Sequence, residues 1–176
     1  QYDTTLIITK PSEIFANGTP TNVVCFGDAD GTITLNTTSG AGGYSWSWSS
    51  TDPSFTDPGT ENLTGLDIGT YTVTITDVNG CTIDSVFSIT EPSEISLTAI
   101  LSNNNCFNDT TGSINISVGG GTPNYNYSWI NSLGQNISSS EDLSNLIADS
   151  YSITITDDSS CTKDSLFIIT SPNEIF

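Results

Sequence analysis

Four cysteines, Cys25, Cys81, Cys106 and Cys161, carry whatever redox or soft-metal chemistry this chain has, because it contains neither histidine nor methionine. None of them sits in a C-x-x-C pair, so a zinc site is not indicated. They read instead as a disulfide framework of an oxidising, extracellular compartment, with buried free thiols as the rival reading. The acids come next. "DADG" sets Asp28 and Asp30 two residues apart before a glycine, a partial echo of oxygen-rich cation loops, with Asp77 and Asn79 as further oxygen donors. A second set is Asn108, Asp109, Asp157 and Asp158. Calcium takes roughly six to eight oxygens, and acids gathered without lysine or arginine suit it, so a structural Ca2+ is one expectation. The other is that aspartate stands in turns because turns favour it, and the remaining loop ligands and the terminal glutamate of a calcium loop are missing. No cofactor is required on either reading. Tyr44, Trp46 and Trp48 alternate, as do Tyr125, Tyr127 and Trp129, so each trio shares one side of a strand. Such a side could be a sugar-binding platform or the packed face of a core, for which Trp48 and Trp129 are the chosen members. Without histidine, and with cysteines in bonds, nucleophile–base arrangements cannot be built. Paired carboxylates could serve a glycosidase, but these sit in turns with no evident cleft, and the chain is expected not to be an enzyme.

The composition fits strands better than helices. At 176 residues, 35% hydrophobic and 12% charged, the chain is far from the signature of disorder, and it is filled with Thr, Ser, Ile, Val, Tyr and Gly. No apolar run approaches the roughly 18 residues that span a bilayer, and no secretion signal opens the chain, which reads as mature or as a fragment. Lys10 and Lys163 are the only basic residues against 20 acids, a net charge of −18. Such a polyanion repels nucleic acid and anionic lipid, which bind through Lys and Arg, so neither nucleic-acid binding nor direct membrane insertion is expected.

What positions these residues is a repeat. Cys25 to Cys106 and Trp48 to Trp129 are both 81 residues, and Tyr71 to Tyr151 and Cys81 to Cys161 are both 80. "TKPSEI", "TEPSEI" and "TSPNEI" recur at the junctions. Residues 1–13 match the ends of both copies and are expected to be the last strand of a preceding repeat, followed by complete repeats over 14–94 and 95–176. Within each, "GTITLNTTS" or "GSINISVGG" alternates with period two, and short strands follow at "YSWSW", "YTVTITD" and "CTIDSVFSIT" or their counterparts. The fold class is therefore all-β, as tandem immunoglobulin-like or fibronectin-like β-sandwich repeats. "LDIGTY" places Leu66, Gly69 and Tyr71 at a tyrosine corner. Leu146 and Tyr151 repeat it with Asp149 in place of Gly69, a residue that tolerates positive φ.

One cysteine pair per repeat favours Cys25–Cys81 and Cys106–Cys161 over the other connectivities, each bond worth about 4 kcal/mol in the chain-entropy model. Four strands between the cysteines would return the chain to the same end of the sandwich. A fifth within "TDPSFTDPG" would forbid the bond, and the two prolines there argue for four. On that count Asp77 and Asn79 lie at the same end as Asp28 and Asp30. Glu13, Glu94 and Glu174 recur at the junctions as weaker bridging candidates, and Pro11, Pro92 and Pro172 restrict the chain there.

"CFGDADGTITL", "YSWSW", "LDIGTYTVTITDVNGCT" and "ITEP" together resemble the SprB repeat of Bacteroidota surface proteins, over essentially the whole chain and twice. The second copy departs at Asp149 and at "DDSSC", where Ser160 replaces the turn glycine. The best-known bearer of such repeats is a giant gliding-motility adhesin. The resemblance implies a secreted protein on the bacterial cell surface, exported by the type IX system and displayed as filaments that grip substrata. Its partners would be neighbouring repeats of the same chain, surface polysaccharide, or like chains in a filament. It also implies O-glycans at Asp followed by Ser or Thr and then by an apolar residue or Thr, for which Thr4, Ser85, Thr110 and Ser165 are candidates, against ordinary strand alternation with outward hydroxyls. Asn62 and Asn115 open N-x-[ST] triplets, relevant only in hosts with that machinery. The function expected is a structural repeat segment of a surface adhesin or filament; the alternative is a carbohydrate-binding module, with or without calcium.

Overall fold

The computed structural model describes residues 10–175; most of 1–13, read above as a strand of a preceding repeat, and Thr4 lie outside the described residues. All regular structure among the described residues is β. The chain forms two compact units, the first ending at Val23 and resuming over Gly27–Glu91, the second taking Val24–Phe26 together with Pro92 onward.

In the first unit, β1 (Ile14–Thr21), β2 (Gly31–Ser39) and β4 (Leu63–Leu66) form one sheet in the order β1-β2-β4. β3 (Ser45–Ser50), β5 (Gly69–Thr76) and β6 (Thr82–Ile89) form the other, in the order β3-β5-β6. The second unit repeats the plan. β7 (Ser96–Ser102), β8 (Gly112–Gly119) and β11 (Leu143–Leu146) make one sheet, and β9 (Asn126–Asn131), β10 (Asn136–Ser138), β12 (Asp149–Thr156) and β13 (Thr162–Ile169) the other. All the pairings are antiparallel.

Period-two alternation places the core. In β5, Tyr71, Val73 and Ile75 are fully buried while the intervening threonines are not, and Tyr151, Ile153 and Ile155 do the same in β12. Ile33 and Leu35 answer from β2, and Ile114 and Ile116 from β8. Each such side chain stabilises the fold by about 1.5–3 kcal/mol relative to exposure. The tyrosine corner forms in both copies, the Tyr71 hydroxyl donating to the Asp67 carbonyl at 2.9 Å and the Tyr151 hydroxyl to the Ile147 carbonyl at 3.1 Å. Its left-handed residue is not the expected one. Gly65 (φ 68°) and Asn145 (φ 57°) hold positive φ, and neither Gly69 nor Asp149 does. Asp149 is tolerated for a different reason: its carboxylate accepts from the Ser150 amide at 2.8 Å.

The path between the first two cysteines corrects the strand count. β1 ends with Thr21 opposite Thr32, so the Cys25 loop lies at the Gly31 end of the sandwich. β2 climbs away from that end and β3 returns, Ser50 pairing with Tyr71. Residues 51–62 then climb again without strand pairing. Thr51 N–H donates to the Thr70 carbonyl, Trp48 Nε1 to the Thr60 carbonyl, and Leu35 N–H to Asn62 Oδ1 further up β2. β4 descends to Leu66 opposite Gly31, and β5 climbs to Thr76 opposite Ser45. That makes five passes. In the second unit part of the extra pass is a true strand, β10. Cys81 therefore lies at the opposite end from Cys25, and the bond expected within a repeat cannot form.

Candidate functional site

The loop after β5 is built around one carboxylate. Asp77 is buried, and its Oδ1 accepts from the amides of Asn79 (2.9 Å) and Cys81 (3.0 Å) while Oδ2 accepts from the Ala41 amide (3.0 Å). These backbone donors, Ala41 first, hold the Asp77 carboxyl below the ordinary 3.8. Asp157 repeats the arrangement on the amides of Ser159, Cys161 and Thr122. Both aspartates pin a cysteine-bearing loop to the neighbouring β2–β3 or β8–β9 turn. Sequence reasoning placed them among metal candidates and missed this role; their position four residues before a cysteine in both copies was the available signal.

The remaining cation candidates are not brought to them. Asp28 and Asp30 precede β2 and Asp77 and Asn79 follow β5, at opposite ends of the first unit; Asn108 and Asp109 are likewise separated from Asp157 and Asp158. Asp109 instead accepts from the Thr110 amide and the Thr111 hydroxyl. Among the described residues no three Cys, Asp or Glu side chains converge as a metal group. Glu13 pairs with Lys10 at 2.9 Å and Glu94 with Lys163 at 2.7 Å, exposed ion pairs of small stabilising value, and Glu174 is exposed.

The disulfide joins Cys25 to Cys161, with Cα atoms 5.6 Å apart and 136 residues of separation. Cys81 and Cys106 are free and exposed. Neither expected pair, Cys25–Cys81 or Cys106–Cys161, is present. The reason is the odd number of passes together with the membership of Val24–Phe26, which packs as part of the second unit rather than the first. Cys25 lies against the core cluster that contains Ile95 and Cys161, and the Cys161 sulfur is 3.5 Å from the Val24 carbonyl oxygen.

Both aromatic trios face inward. Trp48 and Trp129 are buried, their Nε1 groups donating to the carbonyls of Thr60 (2.8 Å) and Ser140 (2.9 Å). Tyr44, Trp46, Tyr125 and Tyr127 are half-buried and pack on the same cores. On β3 the exposed positions beside them are polar: Ser45, Ser47 and Ser49. Ser85 stands opposite the fully buried Val73 and Ser165 opposite Ile153, so both hydroxyls lie on the inward side of β6 and β13, half-buried, contrary to the outward placement expected. Thr110 is exposed. Of the asparagines, Asn62 holds the Leu35 amide and Asn115 is exposed.

The family model of the SprB repeat matches residues 17–53 and 98–134, equivalent segments that each contain the first cysteine of a copy and its core tryptophan. The SprB repeat is thus matched twice, once in each copy. Such repeats belong to cell-surface proteins, and the match supports a structural repeat segment of one. Among solved structures, a variant of a three-immunoglobulin segment of titin superposes with a TM-score of 0.50 at 15% identity, covering 93% of this chain and 66% of that one. The chain thus spans just under two thirds of the titin segment. The Ig1–Ig2 pair of DIP-gamma matches at 12% identity and TM-score 0.45, covering 92% and 99% of the two chains. At 15% identity the titin likeness speaks for the fold alone: the two units are tandem immunoglobulin-like sandwiches. No curated protein matches the sequence. SprB repeats and immunoglobulin-like sandwiches are typical of non-enzymatic structural domains, and no helix among the described residues is long and apolar enough to cross a membrane.

Proposed function

We propose that this segment is a spacer in a large secreted adhesin or filament of a bacterial surface, giving reach and carrying load for attachment and gliding. The observation that supports it most is the Cys25–Cys161 bond, which joins residues of two consecutive repeats at a sequence separation of 136. Tension applied along the backbone passes through the sulfurs and spares the strands between them. The acidic surface, with net charge −18, keeps such segments solvated. The aromatic trios, spent on the cores, leave the β3 and β9 faces without a sugar platform.

The test is a glycan array and a polysaccharide pull-down on the two-repeat chain, with and without calcium, beside deletion of the same residues from the native surface protein. A spacer gives blank arrays and a deletion that shortens surface filaments. Specific glycan capture would replace this reading with the carbohydrate-binding one, and a calcium-dependent rise in melting temperature would restore a cation site.

A further inference from the structure

Cys81 and Cys106 are the repeat equivalents of the bonded Cys161 and Cys25, by the same 80- and 81-residue spacings. Each free thiol is therefore half of a bond whose other version is already made in this chain. From this we infer that Cys81 and its surroundings form a docking seat for the cysteine loop of another repeat, and that Cys106 of one copy of the chain joins Cys81 of a second.

Two further observations support the seat and its occupant. Around Cys81 the first unit has a cavity of about 370 Å³, lined by Lys10, Pro11, Glu13, Ile14, Thr82 and Ile83 besides the cysteine. In the second unit the counterparts of Ile14 and Cys81 are Ile95 and Cys161, and there Cys25 packs on them, leaving Cys161 only 9% exposed. The seat at Cys81 keeps the proline, glutamate, isoleucine and threonine of those walls, with Lys10 and Ile83 where the other has Glu91 and Lys163, and, among the described residues, it has no such occupant. The occupant is ready as well. Val23 N–H donates to the Thr90 carbonyl and Thr90 N–H to Asn22 Oδ1, and the Cys106 loop is anchored identically through Asn104, Thr170 and Asn103. Gly27 (φ 78°) and Asn108 (φ 57°) hold the same left-handed position two residues beyond each cysteine. The Cys106 loop is thus presented in the conformation the Cys25 loop has when bonded.

The chemistry needs a two-electron oxidant, supplied by a small-molecule disulfide such as oxidised glutathione. The Cys81 thiolate attacks it, forming a mixed disulfide and releasing one glutathione thiolate. The Cys106 thiolate of a second copy then attacks the Cys81 sulfur, and the second glutathione thiolate leaves. Two protein thiols are oxidised, one glutathione disulfide is reduced to two thiols, and the two protons pass to the departing glutathiones. The inference rests on the equivalence of the repeats and not on what the surface protein adheres to.

The experiment uses the whole chain with Cys25–Cys161 intact, in a glutathione redox buffer, read by non-reducing electrophoresis and by mass spectrometry of bridged peptides. The wild-type chain is expected to give a ladder of covalent oligomers linked through Cys81–Cys106. Cys81→Ser mixed with Cys106→Ser is expected to stop at a dimer, formed at least about tenfold faster than either variant dimerises with itself, corresponding to about 1.4 kcal/mol of preference for the seat. Both substitutions are at exposed thiols and leave the native bond in place. Equal rates for mixed and self pairs, bridges of Cys81 to Cys81, or a chain that stays monomeric would each overturn the inference.

Discussion

Reduction or Cys161→Ser should change how far this chain stretches far more than how it folds. The bond holds Cα atoms 136 residues apart in sequence at 5.6 Å. Extended backbone spans roughly 3.4 Å per residue, so about 460 Å of contour is withheld from a pulling force while the sulfurs are joined. In the chain-entropy model a loop of this size also raises stability by about 5 kcal/mol, a figure that native strain or residual structure reduces. The assay is single-molecule stretching from the two termini, with and without reductant. Oxidised chains should rupture with only the short flanking segments extended, and reduced or Cys161→Ser chains should release the further 460 Å or so in steps. Thiol titration in denaturant should find two free thiols, Cys81 and Cys106, in the oxidised chain. Equal contour lengths in both states, or bridged peptides linking Cys25 to Cys81, would refute the reasoning.

The Asp77 loop should be acid-labile in a defined direction. Its carboxyl is held below 3.8 in the folded chain, so its contribution is complete above that value and is lost as pH falls through the lowered folded value. Asp77→Asn, which keeps one acceptor oxygen but opposes an N–H to the Ala41 amide, should lower the melting temperature at neutral pH and flatten its fall in acid; parallel acid limbs would count against this. Tyr71→Phe and Tyr151→Phe each remove one corner hydrogen bond and should each cost about 1 kcal/mol in urea unfolding, with unchanged slope. Ser160 holds φ 69° where the first repeat has Gly80, at φ 79°. Ser160→Gly should relieve about 1–2 kcal/mol of left-handed strain against about 0.5–1 kcal/mol of added chain entropy, a net gain near 0.5–1 kcal/mol visible as a higher melting temperature.

How much of this was legible in the sequence depends on which residues carry their information locally. The strands were readable because Tyr71, Val73 and Ile75 alternate with threonines, a pattern that fixes both strand and buried face within a few residues. Trp48 and Trp129 were readable for the same reason. The cysteine pairing was not, because it turns on whether 51–62 crosses the sandwich, and that segment does so through side-chain and isolated backbone hydrogen bonds, with no alternation to announce a strand. Two prolines rightly argued against a strand there, yet a chain can traverse a sheet without joining it. The parity of passes decides which end a cysteine reaches, so one unpaired crossing reversed the answer. Ser85 shows the same limit in small: "DSV" reads as polar and outward, but the register with Val73 puts the serine inside and leaves Val86 exposed. Repetition itself carries a signal. If two cysteines of one copy cannot meet, identical copies in tandem offer each cysteine the complementary one of a neighbour, and a two-copy segment must then show one bond and two unmatched thiols. One bond and two free thiols are what the chain has.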